Sequence, residues 1–200
     1  MQELEGQGGR KLRRSASIVV VSWNGQDFLS RLLPSLDKAI AKEGGDHEIL
    51  VVDNGSEDNS IPWMKEHFPH VKIVALPENR FFVRGNMAGV KEATKDILIF
   101  LNNDMIVFED FLGPLLDSFD RPEVFGVTSE VFFRDPDKRR EETGKTAGTF
   151  EDGFIKLAHL MPRNEERQQR VEPTFWAGGG SSAFDRQKFL AVGGFDTIYD

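Results

Sequence analysis

Three short apolar runs in this chain stop in the same way. "VVVSWNG" (19–25), "LVVDNGS" (50–56) and "IFLNNDM" (99–105) each pass, within one residue, from β-branched or aliphatic text into Ser, Asp, Asn and Gly. Near-continuous apolar strands are covered on both faces. Here they alternate with helical patterns, the signature of βαβ units. The fold class this implies is α/β, a mixed, mostly parallel sheet flanked by helices. In open sheets of this kind the carboxyl ends of the strands form the ligand crevice. Ser22, Trp23, Asn24, Asp53, Asn54, Asn102, Asn103 and Asp104 are therefore expected along one rim, although each cluster alone would also satisfy ordinary turn chemistry.

The elements follow from periodicity and punctuation. "SIVVVS" (17–22) is the first strand. A helix over Phe28 to Ile40 follows, with Asp27 as its N-cap, a kink at Pro34 and "EGG" (43–45) as its stop. "EILVV" (48–52) is the second strand, and Ser60 with Pro62 opens a short helix toward His67. "VKIVAL" (71–76) reads as a third strand, a helix begins near Arg84, and "DILIFL" (96–101) is a fourth strand. "EDFLGPLLDSF" (109–119) is amphipathic, "VFGVTSEVFF" (124–133) reads as a strand, and a short helix runs around Gln187 to Val192. Residues 134–172 are dense in charge with little periodicity, which suits an exposed excursion or lid. At 200 residues the expectation is a flexible basic tail over 1–16 and one domain over 17–200.

Composition removes several function classes. A net charge of −8 argues against nucleic acid as a partner, because backbone affinity needs excess Lys and Arg. The absence of Cys removes disulfides, thiolate zinc sites and cysteine nucleophiles, and suits a reducing compartment. No apolar stretch precedes Ile18, and no segment approaches the ~20 apolar residues of a membrane span. A cytoplasmic location is expected. The "RKLRR" cluster (10–14) could add peripheral contact with the inner face of a membrane, but a solvated tail is the stronger reading. "GKT" (144–146) fails as a phosphate loop because Arg139 stands where glycine is needed. "DNGSEDNS" fails as a calcium loop, with Asp58 and Met64 at the sixth and twelfth positions. His47, His67, His70 and His159 read as solvated or capping. Phe81, Phe82, Phe132 and Phe133 read as core or lid packing rather than a sugar-stacking platform.

A nucleoside diphosphate suits the expected rim. Asp53 can accept from a ring N–H, with Trp23 flanking the base. Arg80 and Arg84 lie beside a helix start, where backbone N–H groups also favour anions. Asp104 offers a hard oxygen ligand for Mg²⁺ or Mn²⁺, with the neutral Asn102 and Asn103 beside it. "WAGGGSS" (176–182) by itself reads as a flexible turn before a helix.

"VVVSWNG", "VVDNGSEDNS", "ENRFFVRGNMAG", "LIFLNNDM" and "FWAGGGSSAFDRQKFLAVGGFD", in that order, resemble the successive motifs of family 2 glycosyltransferases with the GT-A fold, over essentially residues 17–200. The flavour is that of bacterial polysaccharide and rhamnosyl transferases. The resemblance implies an inverting transfer from a UDP- or dTDP-linked sugar to a hydroxyl of a glycan or lipid-linked acceptor. It implies nucleotide contacts from Ser22, Trp23, Asn24, Asp53, Asn54, Gly55, Arg80, Arg84, Asn86 and Asn103. Asp104 and Asn102 would hold Mg²⁺ or Mn²⁺, and Trp176, Gly178 and Gly179 would meet the acceptor. The metal motif retains only its last acid. It also implies a catalytic carboxylate shortly after "GGFD"; the 200 residues end at Asp200, so that base is expected to be missing, and neither Asp196 nor Asp200 is given the role. Two other readings stay open: a nucleotide-sugar binding domain without turnover, and a nucleotidyltransferase, against which the loop "SWNGQDF" counts because it carries no Lys or Arg.

Overall fold

Ile18 and Val20 face one way from the first strand and Val19 the other, and all three are fully buried, so this strand needs cover on both sides. The computed structural model describes residues 14–131, 145–160, 173–196 and 198 and supplies that cover. Its elements are β1 (Ala16–Ser22), α1 (Gln26–Glu43), β2 (Glu48–Asp53), α2 (Ser60–His67), β3 (Lys72–Ala75), α3 (Phe81–Glu92), β4 (Ile97–Asn102), α4 (Leu112–Ser118), β5 (Gly126–Thr128), β6 (Lys145–Glu151), β7 (Phe154–Leu160), β8 (Ser181–Asp185) and α5 (Arg186–Ala191). Six strands form one sheet in the order β3-β2-β1-β4-β8-β5. β1 pairs in parallel with both β2 and β4, and β3 joins β2 in parallel; β8 runs antiparallel between β4 and β5.

One face of the sheet buries Leu29, Leu32, Leu33 and Leu36 of α1 with Met64 of α2 and Leu112, Leu115 and Leu116 of α4. Each fully buried Leu contributes about 1.5–3 kcal/mol. The other face packs α3 and α5 through Val90, Phe100, Phe184 and Phe189. The ring of Phe100 lies 5.5 Å from Phe189 and 4.9 Å from Phe195, within the range of favourable aromatic pairs. α3 comes unusually close to β1. A Cβ on Gly89 would sit 2.4 Å from Val19 Cγ1, and one on Gly85 3.0 Å from Val21 Cγ1. These glycines lower the helix onto the strand and bring its amino end to the polar rim.

Several sequence expectations are corrected. Gly25, not Asp27, stands at the N-cap of α1, and the helix continues through Pro34. α3 begins at Phe81, three residues before Arg84. The strand expected over 124–133 reduces to Gly126–Thr128, and the Ser181–Asp185 strand lies inside text that showed no strand pattern. Within the charged 134–172 stretch, β6 and β7 form an antiparallel hairpin. Arg14 does not belong to a solvated tail, since its guanidinium donates to Asp185 at 2.9 Å; residues 10–13 lie outside the described residues. Phe81 is 67% exposed and Phe82 45%, so neither is core; Phe132 and Phe133 lie outside the described residues.

The histidines brace the fold locally. His47 Nδ1 accepts from the Ala16 N–H at 3.1 Å, and Nε2 lies 2.9 Å from the Gly44 carbonyl. That pair of bonds requires a neutral ring. Burial depresses the His47 pKa, only partly opposed by the Gly44 carbonyl and nearby Glu43 and Asp46. A base whose folded pKa is lowered contributes stability that is present above its ordinary value of about 6.5 and lost as pH falls through the folded value. Thermal melts should therefore show the protein losing stability between pH 7 and pH 5. His47→Asn, which keeps an acceptor near the Nδ1 position but does not titrate, should lose less over the same interval; equal losses would exclude this role.

Candidate functional site

β1 lies between β2 and β4 and is parallel to both, so their carboxyl ends open on one edge. The register sets Ser22 beside Asp53 and Val21 beside Asn102. Two strand spacings, ~10 Å, separate the ends of β2 and β4. Asn103 Nδ2 donates to Ser22 Oγ at 3.0 Å and closes this edge. Gly25 makes that bond possible, because a Cβ there would stand 2.3 Å from Ser22 Oγ and 2.5 Å from Asn103 Nδ2. Beside it opens a cleft of about 220 Å³ lined by Val21, Phe82, Asn86, Leu101, Asn102, Asn103 and Asp104. A larger groove of about 320 Å³ lies between α1 and residues 106–109, but its lining, with Arg31, Pro34, Ile106 and Phe108, lacks the converging amides and carboxylate of the rim.

Asp53 is 1% exposed. Its Oδ1 accepts from the Ser56 N–H at 3.0 Å, while Oδ2 is buried without a hydrogen-bond partner. A buried oxygen left in that state is costly and marks a place where a donor would be stabilising. Asn54 and Asn24 are committed elsewhere. Asn54 Nδ2 donates to Asn79 Oδ1 at 2.9 Å and to the Phe81 carbonyl at 3.1 Å, and its Oδ1 accepts from the Arg80 N–H at 2.8 Å. Asn24, at φ +48°, accepts from the Glu57 N–H at 2.8 Å. It thereby ties the loop after β1 to the loop after β2. Gly55, at φ +78°, passes so close to Glu78 that a Cβ would meet its carbonyl carbon at 2.6 Å. Asp58 Oδ1 accepts from the N–H of Ser60, the first residue of α2, at 3.1 Å and from its hydroxyl. Burial pushes the Asp58 pKa up, but hydrogen bonds from the Ser60 hydroxyl and N–H and the Gln26 N–H outweigh that and hold it low.

The remaining candidates divide. Trp23 is 56% exposed at the rim. Arg80 and Arg84 are exposed near the amino end of α3, with Arg80 bonded to Glu78 at 2.7 Å. Asn86 is buried and donates to the Phe82 carbonyl at 2.9 Å. Gly179 touches the edge of the cleft, since a Cβ there would lie 2.9 Å from the Phe82 ring; Gly178 has open space around it. Trp176 faces the hairpin instead, with its backbone N–H donating to Thr146 Oγ1 at 2.9 Å and its ring edge-on to His159 at 5.1 Å. Sequence reading missed Val21, Gly25 and Asn79 and read Phe82 as core or lid packing. Gly25 was legible in principle as a glycine just past a strand end; the others were not.

Among the described residues no three His, Cys, Asp or Glu side chains gather as a ready-made ion cage. One carboxylate, Asp104, with the neighbouring amide of Asn102, fits a hard divalent ion that takes its other oxygens from substrate phosphates and water.

The family model described as Glycosyl transferase family 2 matches residues 17–191. N-acetylgalactosaminyltransferase 6 of Drosophila melanogaster is 24% identical, over 93% of this chain and 29% of its own length. Undecaprenyl-phosphate 4-deoxy-4-formamido-L-arabinose transferase of Klebsiella pneumoniae is 35% identical over 46% of this chain and 29% of its own length. Among solved structures, a mannosyltransferase from Pyrobaculum calidifontis in complex with GDP-Man and Mn²⁺ is similar at a TM-score of 0.63 and 19% identity, covering 94% of this chain and 49% of that one. The fold is thus the GT-A fold. The chain spans less than half the length of each of these three proteins.

The rim yields a stability test. The φ of Gly25 is −117°, which any residue adopts, so Gly25→Ala acts through contact alone. It should wedge Ser22 from Asn103 and cost about 1–3 kcal/mol in chemical denaturation. An unchanged midpoint would show that the two side chains do not depend on each other.

Proposed function

The chain belongs to glycosyl transferase family 2, and from that premise we propose that it forms the donor-binding part of an inverting transferase. The reaction moves a sugar from a UDP- or dTDP-linked donor to a hydroxyl of a glycan or lipid-linked acceptor. The observation that carries this reading is the unpartnered Asp53 Oδ2 on the same sheet edge as Asp104. A ring N–H of uracil or thymine would complete the Asp53 shell. Because Asp53 is 1% exposed, the loop held by the Ser56 N–H must yield to admit the base.

The diphosphate then runs along the rim toward Asn103 and Asp104. Arg80 can exchange Glu78 for a phosphate at small cost, since exposed ion pairs contribute about 0–1 kcal/mol. Arg84, exposed on the same helix, adds a second cation. Asp104 and Asn102 would hold Mg²⁺ or Mn²⁺, which when bound offsets the charge that develops on the leaving diphosphate. The acceptor oxygen forms its bond to the anomeric carbon as the bond to the diphosphate breaks on the opposite side. The electron pair leaves with the nucleoside diphosphate, and the acceptor proton goes to a carboxylate base that we assign to no residue of this chain. Gly178 and Gly179, with Trp176 behind them, would border the acceptor. We place the reaction in the cytoplasm, at the inner face of a membrane when the acceptor is lipid-linked; no helix among the described residues is long and apolar enough to cross one.

Calorimetric titration with UDP and dTDP, with and without Mn²⁺, tests this reading; failure of both nucleotides to bind would refute it. Asp53→Ala should weaken nucleotide binding by about 1.5–3 kcal/mol, the range of a hydrogen bond to a charged group. Unchanged affinity would remove Asp53 from the base pocket. In Asp104→Ala the gain in affinity from Mn²⁺ should disappear, and a gain that persists would place the ion elsewhere.

A further inference from the structure

Phe82 lines a mixed cleft, with Val21 and Leu101 beside it and the polar Asn86, Asn102, Asn103 and Asp104 opposite in character. Its side chain is 45% exposed, yet it lines the same 220 Å³ space as Asn102, Asn103 and Asp104. An aromatic ring on a mobile loop would turn inward to shed that exposed surface. This one is held on three sides. The Asn86 amide donates to the Phe82 carbonyl at 2.9 Å. The preceding residue, Phe81, is fixed in the left-handed region at φ +57°, its carbonyl accepting from Asn54 at 3.1 Å and its N–H donating to Asn79 at 2.8 Å. Gly179 lies against the ring edge, where a Cβ would stand 2.9 Å away. A bulky residue at positive φ costs of order 1–3 kcal/mol and persists only where its surroundings enforce it. The fold thus spends strain to keep an apolar plane open between Asp104 and the Gly179 loop.

A pyranosyl ring has the matching chemistry, with a face of C–H groups and a periphery of hydroxyls. The group attached to a diphosphate held at Asp104 is the sugar to be transferred. We propose that Phe82 is the platform on which the C–H face of that sugar stacks, leaving its hydroxyls to Asn102, Asn103 and Asp104, and that Phe82 thereby sets the donor-sugar preference. This rests on the transferase reading above. A sugar whose axial hydroxyl interrupts the C–H face would stack less well, so the choice between epimeric donors is made partly by this ring.

The test uses UDP, UDP-glucose and UDP-galactose with the full chain and Mg²⁺, a diamagnetic ion that leaves proton signals beside it intact. In the unmodified protein, NOEs should run from phenylalanine ring protons to the C–H protons of bound UDP-glucose. Phe82→Leu keeps an apolar side chain but loses the plane. It should leave UDP affinity unchanged while the affinity for UDP-glucose relative to UDP falls by about tenfold, within the range for one lost apolar contact. Phe82→Trp, which restores a plane, should recover the ratio and alter glucose-to-galactose discrimination. If UDP binds but no ring-to-sugar NOEs are found, or if Phe82→Leu keeps the ratio, Phe82 only packs against Gly179 and the inference is overturned. The NOE arm needs no variant to fold. If neither UDP nor dTDP binds the unmodified chain, the transferase reading itself fails and takes this inference with it.

Discussion

Parallel strands that lie side by side end side by side. β1 sits between β2 and β4, running the same way as both, and this single pairing decides where every polar strand end must go. Ser22, Asp53 and Asn102 leave the hydrophobic interior on one edge because the ladder gives them no other exit. The hydrogen bond from Asn103 to Ser22, in the space left by Gly25, then fastens the edge. The interior behind it, apolar on both faces of the sheet, provides a rigid base. A site built on strand ends inherits that rigidity, and its loops have only short distances to span.

The loops are not left loose. Asn54 and Gly55, the residues that follow Asp53, grip the segment before α3, one through three side-chain hydrogen bonds and the other through close approach. Asn24 performs the corresponding task between the loops after β1 and β2. Gly85 and Gly89 let α3 settle on β1, which fixes how near its first turn comes to the rim. Buried amides suit this work because each carries both donors and an acceptor, so one side chain can satisfy several backbone groups at once. At this edge Asp53 keeps one oxygen without a partner, and Phe82 keeps its ring partly exposed. Both stand at the edge where we propose that the sugar nucleotide binds.

Much of this was legible from residue order. The parallel α/β sheet, the gathering of the strand ends and the order of the motifs all follow from local patterns that are strong in "VVVSWNG", "LVVDNGS" and "IFLNNDM". What failed did so for identifiable reasons. β8 was missed because Ser181 and Ser182 are polar yet buried between β4 and β5, where the sheet and not the side chains makes the strand. The β6–β7 hairpin was missed because β7 is exposed along its whole length, so no buried face imposes an alternating pattern. Phe81 and Phe82 read as core or lid packing because aromatic residues are usually covered; their exposure goes with hydrogen bonds to Asn54, Asn79 and Asn86 that no spacing rule announces.

By itself the sequence determined the class of fold and the edge of the sheet where the polar strand ends meet, because strand periodicity and the apolar-to-polar switch are local and each strand end carries its own signal. Tertiary structure alone decided which amides would be consumed as braces and which acid would be left with a vacant oxygen. Asn24, Asn54, Asn102 and Asn103 are alike as letters. They become different when the ladder register and the approach of α3 determine which backbone groups each can reach, since hydrogen bonding is settled by distance and direction in space and not by position along the chain.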